Sequence, residues 1–319
     1  MTNPAITFDG VLFFPVTPFD RHDKVALATL EEHVASRLDF GPGGIFPACG
    51  TGEFHALDLD EYTEVVKTTV QVTAGRSPVI AGAGGAVGIA RQQARAAEAA
   101  GADALLLLPP YLVAGPLSGL EEYVNAVVAA SSLPVILYHR GTAMYSAELV
   151  RRLAANPKII GLKDGHGDIG LAQEIVLAVA ASGRDDFQFF NGLLTAELSQ
   201  GAYKSIGIPL YSSAAFAMIP RVANGYYSAY VSGDDTTRLR FLSEFYAPLV
   251  RLRDEVPGFG VSLIKAGLRL RGLDVGSVRA PLVNPSASQL LRLGAILDAG
   301  DALVEELAPS PALLAGLPS

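Results

Sequence analysis

Hydrophobic and polar positions follow two alternating patterns along the chain. Short apolar runs rich in β-branched or aromatic residues predict strands buried on both faces, and a longer stretch with helical spacing follows each of them. The strand candidates are "GVLFFPVTPF" from Gly10, "GGIFPAC" from Gly43, "SPVIAGAGG" from Ser77, "ADALLLLPP" from Ala102, "PVILYHR" from Pro134, "IIGLKDG" from Ile159, "FQFFNG" from Phe187 and "KSIGIPLYS" from Lys204. Buried strands that alternate with helices predict a parallel sheet covered by helices.

The intervening stretches predict helices over residues 25–40, 59–73, 89–100, 120–131 and 147–156, the last of them capped by Ser146. Eight strand and helix units fit a closed (β/α)8 TIM barrel, whereas an open doubly wound sheet usually has fewer strands. We therefore predict an α/β protein built on this barrel.

Three amphipathic stretches follow the last strand candidate and predict extra helices. They are "DDTTRLRFLSEFYAPLVRLRDEV", "GVSLIKAGLRLRGL" and "SASQLLRLGAILDAGDALVEEL". A barrel of this type needs about 250 residues. We predict a barrel over residues 1–230 and a C-terminal helical extension over residues 231–319, with "PSPALLAGLPS" as a loosely held end.

Composition and charge narrow the classes of function. Half of the 319 residues are hydrophobic and 18% are charged, which argues against disorder. The net charge of -8 argues against nucleic acid or an anionic membrane as partner, although a few local cations could hold an anionic small molecule. Cys49 is the only cysteine, which excludes an intrachain disulfide and thiol-rich metal sites. The chain has no apolar run of membrane-spanning length and no signal-peptide pattern at its start, which predicts a cytoplasmic protein.

Lys163 is the first candidate for chemistry, because reacting groups of such barrels gather at the carboxyl ends of the strands. It follows Ile159, Ile160 and Leu162 in an otherwise apolar strand, so its stem should lie inside the barrel or at its rim. Burial there disfavours the charged ammonium, which makes the amine available as a nucleophile toward a carbonyl. The alternative is a rim lysine paired with a carboxylate such as Asp164.

Two further strand ends carry candidate groups. Tyr138 ends the strand before that of Lys163, where a phenol could relay protons, although a tyrosine at the edge of the core would look the same. The turn "ACGTGE" offers backbone N–H groups and the hydroxyl of Thr51, which could hold a carboxylate, although glycine is also the ordinary residue for such a turn.

Other patterns give weaker predictions. "GAGGAVG" from Gly82 lacks the spacing and position of a dinucleotide-binding loop, so a nucleotide-dependent oxidoreductase is disfavoured. The five histidines show no paired spacing and no Asp and His cluster suggests a metal site. His139 and His166 adjoin Tyr138 and Lys163, and solvation alone could explain both.

Taken together, these motifs resemble those of a known family. "PVTPF" at Pro15, "GTGE" at Gly50, Tyr138 in "ILYHR", "GLKDG" at Gly161 and "VRAPL" at Val278 occur in the order found in class I aldolases and lyases such as dihydrodipicolinate synthase and N-acetylneuraminate lyase. "GLKDGHGD", "NGLLTAE", "AYKSIGIPLYSSAAF" and the "IP" at Ile219 are most similar to the subgroup that dehydrates and decarboxylates keto-deoxy sugar diacids.

The resemblance implies a role for each matching position. Lys163 would form the Schiff base without any other cofactor or metal, and Tyr138 would relay protons. Gly50, Thr51 and Gly52 belong to the turn that would hold the carboxylate beside the ketone. Gly192 and Ile206 would lie near the imine through their backbones. The far carboxylate is expected at Arg140 and at the pair Ser212 and Ser213.

Departures from the synthase pattern fit a different substrate. Where the synthase has two adjacent threonines this chain has Gly50 and Thr51, and Ala143 stands where the synthase has an arginine. The resemblance implies a small-molecule sugar diacid as substrate, a role in sugar-diacid catabolism and a homo-oligomer, namely a tetramer. An aldolase that cleaves 2-keto-3-deoxy sugar acids to pyruvate and a non-catalytic sugar-acid sensor remain alternatives.

Overall fold

The computed structural model of the protein describes residues 6–307. The predictions made for the first five residues and for the tail from residue 308 lie outside this range. Among the described residues, no helix combines the length and the apolar character needed to cross a membrane.

Eight parallel strands form the centre of the molecule. They are β1 (Leu12–Phe13), β2 (Gly44–Ile45), β3 (Ile80–Ala83), β4 (Ala104–Leu107), β5 (Val135–His139), β6 (Ile159–Asp164), β7 (Gln188–Asn191) and β8 (Leu210–Ser213). Their order in the sheet is β2-β1-β8-β7-β6-β5-β4-β3. A bridge between Ile45 and Val79 links the two edge strands, so the predicted (β/α)8 barrel is confirmed.

Helices follow the strands and cover the barrel. They are α1 (Leu27–Leu38), α2 (Leu59–Thr73), α3 (Val87–Ala100), α4 (Leu117–Val128), α5 (Ala147–Ala154), α6 (Ile169–Ala180), α7 (Gln200–Ser205), α8 (Ala215–Met218) and α9 (Pro220–Ser232). Helix α2 has the predicted bounds because Asp58 and Glu61 form a capping box at its start. Ser146 caps α5 as predicted, with its side chain accepting a hydrogen bond from the backbone of Leu149.

The eighth strand begins later than predicted. The run that starts at Lys204 opens with the end of helix α7, and β8 starts only at Leu210. Gly207 adopts a left-handed conformation (φ +88°) and Ile208 donates its N–H to the carbonyl of Tyr203, which ends the helix before the strand. An apolar run that contains both a helix end and a strand cannot be divided by periodicity alone.

The three predicted C-terminal stretches are helical. They contain α10 (Asp235–Phe241) and α11 (Ala247–Arg253), joined by a π-helical turn over Leu242–Tyr246, then α12 (Phe259–Leu270) and α13 (Ala287–Leu307). Helix α13 packs against α9, α11 and α12. Residue 230, the predicted domain boundary, lies within α9, and the division into two domains stays a prediction.

Aromatic side chains fill part of the barrel interior. The rings of Phe14 and Phe46 stack with their centres 4.5 Å apart, and Phe8 contacts both Phe46 and Phe190. All four side chains are buried. Together they form an apolar floor beneath the carboxyl ends of the strands, where the candidate residues lie.

Candidate active site

Lys163 and Tyr138 lie side by side on neighbouring strands. Strands β5 and β6 pair in parallel, with Tyr138 directly opposite Lys163. The Nζ atom of Lys163 is 4.2 Å from the centre of the Tyr138 ring and 4.6 Å from the centre of the Phe14 ring. Only 6% of Lys163 is exposed. The amine therefore lies buried against two aromatic rings, beside a phenol that could exchange protons with a substrate bound to the lysine.

Two glycines provide the space that these side chains occupy. A Cβ atom on Gly192 would lie 2.6 Å from Cγ of Lys163 and 2.8 Å from its Cε. A Cβ on Gly165 would lie 2.7 Å from the Tyr138 ring. All three distances are far shorter than van der Waals contact, so a larger residue at either position would displace the lysine or the tyrosine.

Hydrogen bonds fix the hydroxyl group of Tyr138. The hydroxyl donates to the carbonyl of Gly192 (3.1 Å) and accepts from Nη1 of Arg140 (2.9 Å). Burial raises the pKa of this phenol, but the positive charges of Lys163 and Arg140 outweigh burial and hold the pKa below its ordinary value. A phenol that ionises more readily than usual is suited to exchanging protons with a substrate.

These residues line a cavity of about 500 Å³ at the carboxyl ends of the strands. The volume is in the usual range for a small-molecule site. Its polar and charged lining is Thr51, His55, Tyr111, Tyr138, Arg140, Thr142, Lys163, Thr195 and Ser212. Among the residues of the described range, no aspartate or glutamate lines this cavity. A pocket with Lys163 and Arg140 and no carboxylate favours an anionic ligand, although the whole chain is acidic.

The predicted carboxylate-binding turn lies at the edge of this cavity. Gly50 and Thr51 line it, whereas Gly52 lies behind them and accepts a hydrogen bond through its carbonyl from the Thr17 hydroxyl (2.7 Å). A Cβ on Gly50 would meet no atom within 4 Å, so the space beside this residue is open to a ligand. Cys49 also lines the cavity, but burial raises the pKa of its thiol to about 12, which keeps the thiol protonated and a poor nucleophile.

The structure separates three other predicted residues. Ser212 lines the cavity and points its hydroxyl toward the carbonyl of Asn191 (3.4 Å). Ser213 faces the opposite side of β8 and donates to Glu197, because successive side chains of a strand alternate. Ile206 does not line the cavity, since it follows helix α7 and precedes β8. The expectation that Ile206 lies beside the imine is therefore wrong.

His139 and His166 lie outside the cavity lining. Their rings stack with centres 5.6 Å apart, and His139 is buried. Burial lowers the pKa of His139, which keeps this imidazole neutral at physiological pH. Exposure to solvent therefore does not explain why a histidine stands at position 139. Asp164, beside Lys163 in sequence, accepts hydrogen bonds from the Tyr203 hydroxyl and the backbone of His166. It thus anchors the loop after β6.

Several cavity residues were not among the sequence candidates. Tyr111, in contrast, follows β4 and is one of the strand-end residues that the rule used for Lys163 selects. His55 lies in a short 3-10 helix (Phe54–Ala56), and Thr142 and Thr195 lie in loops; the sequence carries no comparable signal at these three positions. Within residues 6–307, no three His, Cys, Asp or Glu side chains group as they would around a metal ion.

Comparison with family models gives one match. The dihydrodipicolinate synthetase family model matches residues 7–300 of the chain. The chain is also similar to curated proteins of Streptomyces. It is 48% identical over 295 residues to "Probable 5-dehydro-4-deoxyglucarate dehydratase 2" of Streptomyces avermitilis, covering 92% of this chain and 88% of the relative. It is 49% identical over 298 residues to "Probable 5-dehydro-4-deoxyglucarate dehydratase" of Streptomyces griseus, covering 93% of each.

Solved structures share the fold. A dihydrodipicolinate synthase from Oceanobacillus iheyensis superimposes with a TM-score of 0.85 at 25% identity, covering 92% of this chain and 97% of that one. A dihydrodipicolinate synthase from Bacillus anthracis gives a TM-score of 0.79 at 26% identity, covering 91% and 98%. The likeness thus extends over the barrel and the helices that follow it.

Proposed function

The chain belongs to the dihydrodipicolinate synthetase family, and we propose that it dehydrates and decarboxylates 5-dehydro-4-deoxyglucarate to 2,5-dioxopentanoate. The names of relatives that are 46% to 49% identical to this chain support this substrate. The observation that carries the proposed chemistry is the buried amine of Lys163 beside the Tyr138 phenol in a cavity that favours anions.

The first proposed step is attack of neutral Lys163 on the ketone of the substrate. Loss of water gives an iminium ion, which acidifies the neighbouring methylene because an enamine spreads the charge. The Tyr138 hydroxyl would take up the methylene proton, directly or through a water. The positive charges of Arg140 and of the iminium at the Lys163 nitrogen would favour the phenolate that this step needs.

The second step removes the hydroxyl group one carbon further along the chain. The enamine electrons expel it, and with a proton it leaves as water, giving a conjugated iminium. The bond to the far carboxylate then breaks, carbon dioxide leaves, and its electron pair enters the conjugated system. Protonation and hydrolysis release 2,5-dioxopentanoate and restore the amine of Lys163. The balance is one water and one carbon dioxide per substrate.

The two carboxylates of the substrate would occupy opposite ends of the cavity. The turn at Gly50 and Thr51 would hold the carboxylate beside the ketone, since the open space beside Gly50 lets an anion approach the backbone. Arg140 and Ser212 would hold the far carboxylate until it leaves. We further propose a role in the breakdown of sugar diacids such as glucarate, with the Lys163 Schiff base taking the place of a cofactor.

Product analysis tests the reaction. The protein is incubated with 5-dehydro-4-deoxyglucarate, and carbon dioxide and pyruvate are both measured. Carbon dioxide without pyruvate is expected. Pyruvate without carbon dioxide would refute the dehydratase and indicate an aldolase, because retro-aldol cleavage starts from the same imine.

Borohydride reduction followed by mass spectrometry tests the nucleophile. Reduction in the presence of substrate should attach the carbon skeleton to Lys163, and the adduct should be lost in a Lys163→Arg variant. Lys158→Arg is the matched control, because Lys158 lies just before β6, at the opposite end of the strand from Lys163. A protein without any adduct would instead be a sugar-acid sensor.

A further inference from the structure

A buried ion pair lies directly behind the turn at Gly50 and Thr51. Nζ of Lys265, on helix α12, is 2.6 Å from Oε1 of Glu53, and neither side chain is exposed. The second carboxylate oxygen of Glu53 accepts the backbone N–H of Arg279 (2.8 Å), and Nζ of Lys265 also donates to the carbonyl of Ser277 (2.8 Å). Residues of the C-terminal segment thus surround the Glu53 carboxylate.

Glu53 is part of the same turn as Gly50 and Thr51. Its backbone N–H donates to the carbonyl of Gly50 (3.2 Å), and the N–H of Phe54 donates to that of Cys49 (3.2 Å). Glu53 itself adopts a left-handed backbone conformation (φ +55°), which costs energy for a residue with a side chain. Such a conformation persists only where surrounding contacts hold it, and the buried pair provides those contacts.

Stability alone is a weak explanation for this pair. Removing two charges from water costs several kcal/mol per ion, so apolar residues of the same volume often stabilise a protein equally well. Lys265 otherwise occupies an apolar face of α12, where its Nζ lies 4.1 Å from the centre of the Phe19 ring. The attraction between two buried opposite charges 2.6 Å apart does, however, favour one position of the Glu53 carboxylate more strongly than an apolar contact would.

We propose that Lys265, through its buried ion pair with Glu53, is a positioning residue that fixes the Gly50 and Thr51 turn for a carboxylate beside the reacting ketone. This inference rests on the proposed function, because it assigns the ketone-side carboxylate to that turn. It extends that function by giving the C-terminal helices a role in substrate selectivity. Neither Lys265 nor Glu53 lines the cavity, so both act through the turn.

Imine trapping with two small ketones tests this role. Pyruvate carries a carboxylate next to its ketone, and hydroxyacetone is a neutral ketone of similar size. For each probe, the concentration that gives half-maximal borohydride trapping at Lys163 is measured by mass spectrometry. In Lys265→Met that concentration should rise at least about tenfold for pyruvate, as expected for a weakened hydrogen bond to a charged group, and stay unchanged for hydroxyacetone.

A second variant separates positioning from the instability of an unpaired buried charge. Glu53→Gln/Lys265→Met removes both charges and keeps an oxygen that can accept the N–H of Arg279. It should fold at least as well as Lys265→Met and show the same selective loss for pyruvate. Lys158→Met is the matched control, because Nζ of Lys158 is also held by backbone carbonyls, those of Val128 and Ser131, away from this turn. This control should leave the half-maximal trapping concentration unchanged for both pyruvate and hydroxyacetone.

Several results would overturn the proposal. An equal rise in the half-maximal trapping concentration of both probes would show general damage to the site. An unchanged concentration for pyruvate would show that the turn does not need the ion pair. If neither variant folds, the pair is a requirement of folding and the positioning role fails. If the unaltered protein traps both probes at Lys163 but releases no carbon dioxide from the sugar diacid, only the proposed reaction fails. Absence of trapping in the unaltered protein refutes both.

Discussion

Glu197 gives a prediction of how stability depends on pH. This carboxyl group is fully buried between β8 and the C-terminal helices, with one oxygen accepting from the Ser213 hydroxyl (2.6 Å). Burial raises its pKa to about 7 from an ordinary value of 4.5, although the hydrogen bond from Ser213 opposes the change. The folded protein therefore binds this proton more tightly than the unfolded chain does.

The sign and size of the effect follow from the two pKa values. Because the folded-state value is the higher one, the stabilisation from Glu197 is fully present below about pH 4.5 and is lost as the pH rises through about 7. The difference of about 2.5 pKa units, at about 1.4 kcal/mol each, corresponds to about 3 kcal/mol. About 2.5 kcal/mol of this change falls between about pH 5 and pH 8.

Glu197→Gln tests this reasoning, because glutamine keeps the shape and does not titrate. Urea unfolding is measured for parent and variant at intervals between about pH 5 and 8. The free energy of unfolding of the variant, relative to the parent, should increase by about 2.5 kcal/mol over this range. Burial also lowers the pKa of His33 to about 3, which costs stability as the pH falls below 6.5, but His33 is present in both proteins and cancels in the difference.

Glu31→Gln is the control, since Glu31 is an exposed carboxyl of helix α1. The difference in the free energy of unfolding between this control variant and the parent should stay nearly constant as the pH changes. A flat curve for Glu197→Gln as well would refute the assignment of a buried, protonated carboxyl. A curve that falls toward high pH would show that the ionised form of Glu197 is the stabilising one.

Three further substitutions test the candidate site. Gly192→Ala should lower kcat about 100-fold in a steady-state assay, because its Cβ would displace the Lys163 side chain; an unchanged kcat would contradict this. Tyr138→Phe should lower kcat by about 10²- to 10⁴-fold, and a loss confined to KM would exclude proton transfer. Gly50→Ala should leave the melting temperature unchanged, since its Cβ meets no neighbour, and raise KM at least about tenfold; a lowered melting temperature would refute that steric argument.

Local sequence patterns were sufficient to predict the barrel and the side-by-side position of Tyr138 and Lys163. Parallel strands with a helix between them align their carboxyl ends, so a tyrosine at the end of the fifth strand and a lysine at the end of the sixth had to be neighbours. The family was also recognisable from the order of short motifs, and the family model confirms it. Helix α2 could be bounded from its capping box, because capping depends on residues close in sequence.

Other features depend on contacts between distant parts of the chain. Ile206 was misplaced because a short helix and a strand share one apolar run, and Ser213 points away from the site because the register of β8 is set by its neighbours. No motif in the sequence singles out Lys265, which the fold brings to Glu53, more than two hundred residues earlier in the chain. Local preference acts over a few residues, whereas burial and charge pairing are decided only when the whole chain is packed.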